Sequence, residues 1–152
     1  MDDLMDASAR DRMLVYIEAH HVMTLACAGP WAAAVFYASE GFNLYFISSA
    51  KSRHSLAFQS DPRVAITIQE NYSDWCEIKG IQLEGKVALL SGEERERAKA
   101  IYAKKFPLIG GDKVPEEIRR AFAKIEWYKA VPNAVCYIDN AAGLGQRERI
   151  EL

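Results

Sequence analysis

One stretch of the chain concentrates groups that can do chemistry: Ser48-Ser49-Ala50-Lys51-Ser52-Arg53-His54. These seven residues hold three hydroxyls, two permanent cations and one titratable imidazole. Leu44 to Ile47 precede the stretch as a short apolar run, and Leu56 and Phe58 follow it as apolar bulk, with Asp61-Pro62 as a stop. The pattern reads as a strand running into a short helix. A helix N-terminus presents unpaired backbone N–H groups and a partial positive charge. With Lys51, Arg53 and His54 added, the junction suits an anion, and a phosphate is the natural one. The same residues also fit an exposed, Ser-capped helix start whose charges only meet water.

The rest of the catalytic inventory is thin. His20 and His21 are adjacent, so on a helix they point ~100° apart and form no ligand pair. Their ordinary role is at a helix end, beside the last carbonyls. Cys27, Cys76 and Cys136 are odd in number and far apart. They lack metal-site spacing and read as reduced thiols of the core or its boundary. No zinc-protease, phosphate-loop or serine-hydrolase signature is present. The run Glu93 to Glu96 reads as a solvated helix face supported by a Glu93–Arg97 pair.

Composition bounds the reading. The chain has 152 residues, with 19 Lys+Arg against 21 Asp+Glu and a net charge of −2. Half of it is hydrophobic, the balance of a globular domain with its own core. We expect one domain over residues 1–152, no nucleic-acid footprint and no membrane span. The acidic start, Asp2-Asp3-Leu4-Met5-Asp6, is unlike a secretory signal, so a cytoplasmic location is expected.

The junction needs a scaffold, and the patterning predicts one. Asp3 to His20 reads as a helix with Met13, Leu14 and Ile17 on one stripe. Strands are predicted at Val22–Ala28, Trp31–Tyr37, Leu44–Ile47, Arg63–Gln69, Glu77–Leu90 and Ala134–Ile138. Gly80 and Gly85 would supply bends. Ser91 and Glu94 form a capping-box pattern opening a helix that Pro107 ends. Pro115 opens another, with Ile118, Ala121, Phe122 and Ile125 on one face. Gly143–Leu152 reads as a polar tail. The fold class is mainly β (α+β). Short turns between strands imply an antiparallel meander, and a few-stranded sheet protects its edges by closing into a barrel.

The order of these features resembles a known family. Leu44–Ile47, then Ser48-Ser49 and Ser52-Arg53-His54, then Asp61-Pro62-Arg63-Val64-Ala65, is similar to the core of FMN-binding split barrels related to pyridoxamine 5′-phosphate oxidase. Ile78 to Val87 resembles that family's next long strand. Tyr137-Ile138-Asp139-Asn140, followed by Gly143-Leu144-Gly145, resembles the last strand of a little-characterised branch. The likeness covers roughly residues 10–145 and implies a six-stranded antiparallel split β-barrel with peripheral helices.

The resemblance also implies roles. Lys51, Ser52, Arg53 and His54 would bind the FMN phosphate, with His54 where a Lys is common. Ile47 and Ser48 would lie beside the isoalloxazine ring. Ala33, Ala34 and Val35, within the strand Ala32–Phe36, would back it, since small side chains let a planar ring approach the backbone. The family places its flavin at a two-fold interface. Gly80, Gln82 and the Tyr72–Trp75 loop of a second subunit would then complete the site in a homodimer. FMN would carry hydride chemistry on a small molecule, which explains the absence of a strong acid/base constellation. The tail Gln146 to Leu152 does not match the oxidase's substrate-gripping segment, so a generic FMN-dependent oxidoreductase fits better than pyridoxamine phosphate oxidation. A deazaflavin would use similar phosphate contacts. A non-catalytic flavin- or haem-binding barrel, with His20, His21 or His54 as candidate ligands, is the alternative. An oligonucleotide-binding barrel using Trp31, Tyr45 and Phe46 is disfavoured by the charge, and these aromatics suit a core.

Overall fold

Antiparallel pairing organises almost the whole chain. The computed structural model describes residues 2–110 and 113–152; Met1, Gly111 and Asp112 lie outside the described residues. In order come α1 (Asp2–Ala19), β1 (Val22–Cys27), β2 (Trp31–Glu40), β3 (Asn43–Ser49), α2 (Arg53–Ser60), β4 (Arg63–Gln69) and β5 (Lys79–Leu89). Then follow α3 (Gly92–Lys105), α4 (Pro107–Gly110), α5 (Glu116–Phe122), β6 (Ile125–Asp139) and β7 (Arg147–Glu151). A single 3-10 turn, Trp75–Glu77, precedes β5. The sheet runs β3-β2-β1-β4-β5-β6, and β6 returns to pair with β3. This closes the six-stranded antiparallel barrel that the patterning implied.

Alternation along the strands fills the interior. Leu25, Tyr37, Leu44, Phe46, Ile66, Ile68, Ile81 and Val135 point inward and are fully buried. Met13 and Ile17 of α1 join the same core, so the predicted stripe packs as expected. Tyr37 adds a polar tie, its hydroxyl donating to the Ile17 carbonyl at 2.6 Å. A second cluster forms on the barrel's outer face, where α3 lays Ala98 and Tyr102 over Ala38, Tyr45, Leu90 and Trp127. Tyr45 and Phe46 are therefore core residues, not an oligonucleotide platform.

Four expectations are corrected. β6 begins at Ile125 rather than Ala134, so Ile125 belongs to a strand and α5 ends at Phe122. Pro132, which cannot donate to a ladder, sits at the bulge where the register slips between Glu84 and Gly85, the kind of place a sheet tolerates proline. The tail is not all loop: β7 pairs with β6 from Ala134↔Glu151 to Ile138↔Arg147. Its alternation buries Ile150 while arginines and glutamates face water. The capping box does not form. Ser91 is the N-cap but makes no side-chain cap bond, because Gly92 turns the chain with φ +60° immediately after it. Arg97 pairs with Glu40 of β2 rather than with Glu93.

Gly85 is required for space. A Cβ there would stand 2.2 Å from the Val131 carbonyl oxygen and 2.7 Å from Pro132 Cα. Both contacts are backbone, so the bulge closes only on a residue without a side chain.

The barrel is split at one place. β2 and β3 pair only from Tyr37↔Phe46 to Glu40↔Asn43. Past Phe46, β3 stays with β6 as far as Ser49↔Ile125. β2 stays with β1 as far as Trp31↔Cys27. The two strands part, and no strand among the described residues pairs with the outer edge of residues 31–36. The chain leaves β3 at this gap and enters α2, which packs on β1 and β2.

Candidate functional site

The parting of β2 from β3 brings the cationic junction to the edge of β2. Ser52 caps α2: it is extended, with φ −63° and ψ 153°, and its hydroxyl accepts the Ser55 amide. A Ser at this position satisfies an amide that the helix itself cannot. The turn before it is fixed by the Ser52 amide donating to the Ser49 carbonyl at 3.1 Å. The Lys51 amide adds a bond to Ser49 Oγ at 3.2 Å. The Lys51 side chain is left exposed.

A chain of polar side chains runs inward from this cap. Ser52 Oγ lies 2.7 Å from Ser55 Oγ and 3.1 Å from Ser48 Oγ. Ser48 Oγ in turn lies 2.6 Å from His54 Nε2. His54 is buried, its ring edge-on to Phe58. Desolvation lowers the imidazole pKa below its usual value, because a charged ring loses water there without a carboxylate to replace it. Burial thus favours the uncharged ring, which is hydrogen-bonded to Ser48.

Of the permanent cations, Arg53 reaches the strand that borders the gap. The Arg53 guanidinium lies 4.1 Å over the Trp31 ring, at the start of β2. This contact bridges α2 to the unpaired strand edge and holds a flexible side chain in place. Trp31 is the residue that sequence reading left off the site. Its signal was an aromatic beside Gly29-Pro30, but only the fold puts it under Arg53. The other end of α2 is clamped by Asp61, which accepts from the Arg63 guanidinium. That pairing holds the Asp61 carboxyl at about 2 and gives the Asp-Pro-Arg motif its physical role as a turn from helix into β4.

The remaining candidates divide into two groups. Ala33 and Val35 pack partly against the interior, whereas Ala32, Ala34 and Phe36 are exposed on the outer face. Ile47 turns outward onto the second cluster. All of these border the split. Gly80 and Gln82 do not: they sit on β5, opposite Gln69 and Thr67 of β4. A Cβ on Gly80 would press on the Ile68 carbonyl at 3.2 Å, while Gln82 is exposed. The Tyr72–Trp75 loop lies by α1, with Tyr72 bonded to Tyr16 at 3.1 Å and Trp75 76% exposed.

The two other histidines stand apart from the junction. His20 Nδ1 meets the Tyr16 carbonyl and Nε2 meets Glu70, both at 2.7 Å. His21 packs edge-on to Phe106. Cys27, Cys76 and Cys136 are free thiols. Among the described residues no cluster of His, Cys, Asp and Glu could hold a metal ion. No described helix is long and apolar enough to cross a membrane.

The family described as pyridoxamine 5′-phosphate oxidase matches residues 9–130. The chain belongs to this family. That match spans both the split and the junction, so the resemblance seen in the motifs is a true membership. A UPF0306 protein of Photorhabdus laumondii is 34% identical over 105 residues, covering 66% of this chain and 73% of the relative. Among solved structures, a heme-binding protein of Mycobacterium smegmatis superposes with TM-score 0.69 at 21% identity, over 90% of this chain and 55% of its own. This chain thus spans about half the length of that protein. A FAD-binding protein of Mesorhizobium loti gives TM-score 0.60 at 18% identity, over 80% of this chain and 88% of its own. Both structures share the fold of this chain.

Proposed function

We propose that this chain binds FMN along the split between β2 and β3 and serves as a flavin-dependent oxidoreductase for a small molecule. The observation that carries this reading is the unpaired edge of residues 31–36 lying beside the α2 N-terminus. Such an edge offers backbone donors and acceptors to the polar rim of a planar ring. Ala32 and Ala34 leave room for the ring to approach. Arg53, Lys51 and the free amides of the first turn of α2 suit a phosphate. His54 serves the site through Ser48 and not as a charge. FMN, when bound, supplies hydride exchange at N5, and the chain's own groups bind it, orient it and exclude water.

A haem reading draws support from the M. smegmatis structural neighbour, a heme-binding protein. The flavin reading is favoured by the histidines. His20 and His54 already commit Nε2 to Glu70 and Ser48, and the His21 ring packs edge-on against Phe106.

We further propose a homodimer with the cofactor at its interface. Gly80, Gln82 and the exposed Trp75 cannot complete the site of their own chain but could complete that of a second copy. Exposed Phe36, at 59%, borders the split and would be covered by such contact. A cytoplasmic location accords with three free thiols. The test is titration of cofactor-free protein with FMN, read by quenching of flavin fluorescence. Arg53→Ala should weaken binding by about tenfold or more, the loss of a charge-assisted contact. Equal affinity in that variant overturns the site.

A further inference from the structure

A cavity of about 510 Å³ lies on the outer face of the barrel, bounded by α3, α4, α5 and the start of β6. It shares no lining residue with the Ser48–His54 junction. Its volume is that of a small-molecule site. The walls combine apolar surface with cations: Ile125, Trp127 and Phe122 on one side, Arg95, Lys99 and Arg119 around it, and no carboxylate among the described residues that line it. Arg95, Lys99 and Ala103 fall at i, i+4 and i+8 of α3 and so share a face. α5, which closes the other side, has no buried residue.

The decisive feature is Arg95 Nε. That atom is buried and, among the described residues, has no hydrogen-bond partner, while the Arg95 side chain as a whole is 41% exposed. Glu96 Oε1 stands 4.0 Å away and is shared with Lys99 at 3.4 Å, too distant to satisfy it. A guanidinium N–H left dry beside a cavity calls for an acceptor inside that cavity. We infer that the cavity binds a small carboxylic acid with an apolar body, its carboxylate taken by Arg95 and Lys99 and its hydrocarbon laid against Trp127, Ile125 and Phe122. Arg favours this class because its planar fork matches a carboxylate, and the apolar floor rewards a flat or branched body. The inference does not depend on flavin binding.

The test uses the full chain free of cofactor, titrated calorimetrically with 2-naphthoate and with the uncharged 2-naphthalenemethanol. One site per chain is expected, with Kd for 2-naphthoate below about 1 mM and the alcohol at least about tenfold weaker. Arg95→Met and Lys99→Met, both partly exposed positions that should fold normally, each lower affinity; Arg95→Met does so by about tenfold or more. Ala103→Trp, which fills the space, abolishes binding. FMN titration is unchanged in all three variants, which separates this site from the junction. The proposal is overturned if 2-naphthoate does not bind in this range, if the alcohol binds equally well, or if folded Arg95→Met and Ala103→Trp retain parental affinity.

Discussion

Ser48→Ala is the perturbation that reports most directly on the polar chain inside the junction. Ser48 Oγ is 2.6 Å from His54 Nε2, and His54 is only 8% exposed. Removing the hydroxyl leaves a buried ring nitrogen with no partner, a cost of about 1–3 kcal/mol. For a domain of this size that corresponds to a fall in Tm of about 2–12 °C. Urea denaturation should show a lower midpoint with an unchanged slope, since no new surface is exposed. The logic makes a sharper demand on the double variant. His54→Phe removes the nitrogen as well as the bond, so Ser48→Ala should cost much less in that background. The coupling between the two should reach about 1 kcal/mol or more. If Ser48→Ala costs under about 0.5 kcal/mol, or if the two substitutions simply add, then His54 is not held by Ser48 and the account of an uncharged, orienting imidazole is wrong.

Other positions give independent tests. Gly85→Ala forces a Cβ to within 2.2 Å of the Val131 carbonyl; backbone must move, so a loss of about 3 kcal/mol or more is expected, and an unchanged thermal midpoint would show that the bulge is slack. Burial lowers the His54 pKa, so the unfolded chain binds a proton more readily; stability from this group is full above about pH 6.5 and declines as pH falls below it. A set of urea midpoints between neutral and mildly acid pH should therefore slope downward, less steeply in His54→Gln, and parallel slopes would contradict the assignment. Trp31→Ala removes the ring under Arg53 at 4.1 Å, and FMN affinity should fall by about two- to fivefold, the worth of an exposed cation–π contact; an unaltered titration would mean that Arg53 needs no such support.

How much of this was legible in the sequence depends on whether the signal is local. The strands from Val22 to Gln69 and the helix start at Ser52 were readable because alternation and capping are written in neighbouring residues. The first half of β6 was hidden by Glu126, Lys129 and Pro132, which break an apolar run. Pro132 is tolerated because the strand is bulged opposite Gly85, and Glu126 and Lys129 because they stay only half-buried. β7 was hidden because a strand outside the closed ring needs only Ile150 inward. Its charged residues find partners far away in sequence, as Arg149 does at Glu84 and Glu148 does at Arg12. The phosphate-suited cluster was visible as composition, but the sorting of its members was not. Lys51 lies in the turn before the helix and stays outside, and Arg53 stays outside while His54 turns in, because α2 presents successive residues ~100° apart and only one direction faces the barrel. Trp31 and Arg53 are 22 positions apart, and only the divergence of β2 from β3 brings them into contact.

The central claim is that the split between β2 and β3, with Lys51, Ser52 and Arg53 at its end, holds the phosphorylated tail and ring of FMN. A crystal structure of the protein grown with FMN tests it most directly. The account predicts the phosphate within hydrogen-bond reach of Arg53 and the first amides of α2, with the ring against residues 32–36. Density for the flavin elsewhere, or these side chains left in solvent while FMN is bound, would contradict it.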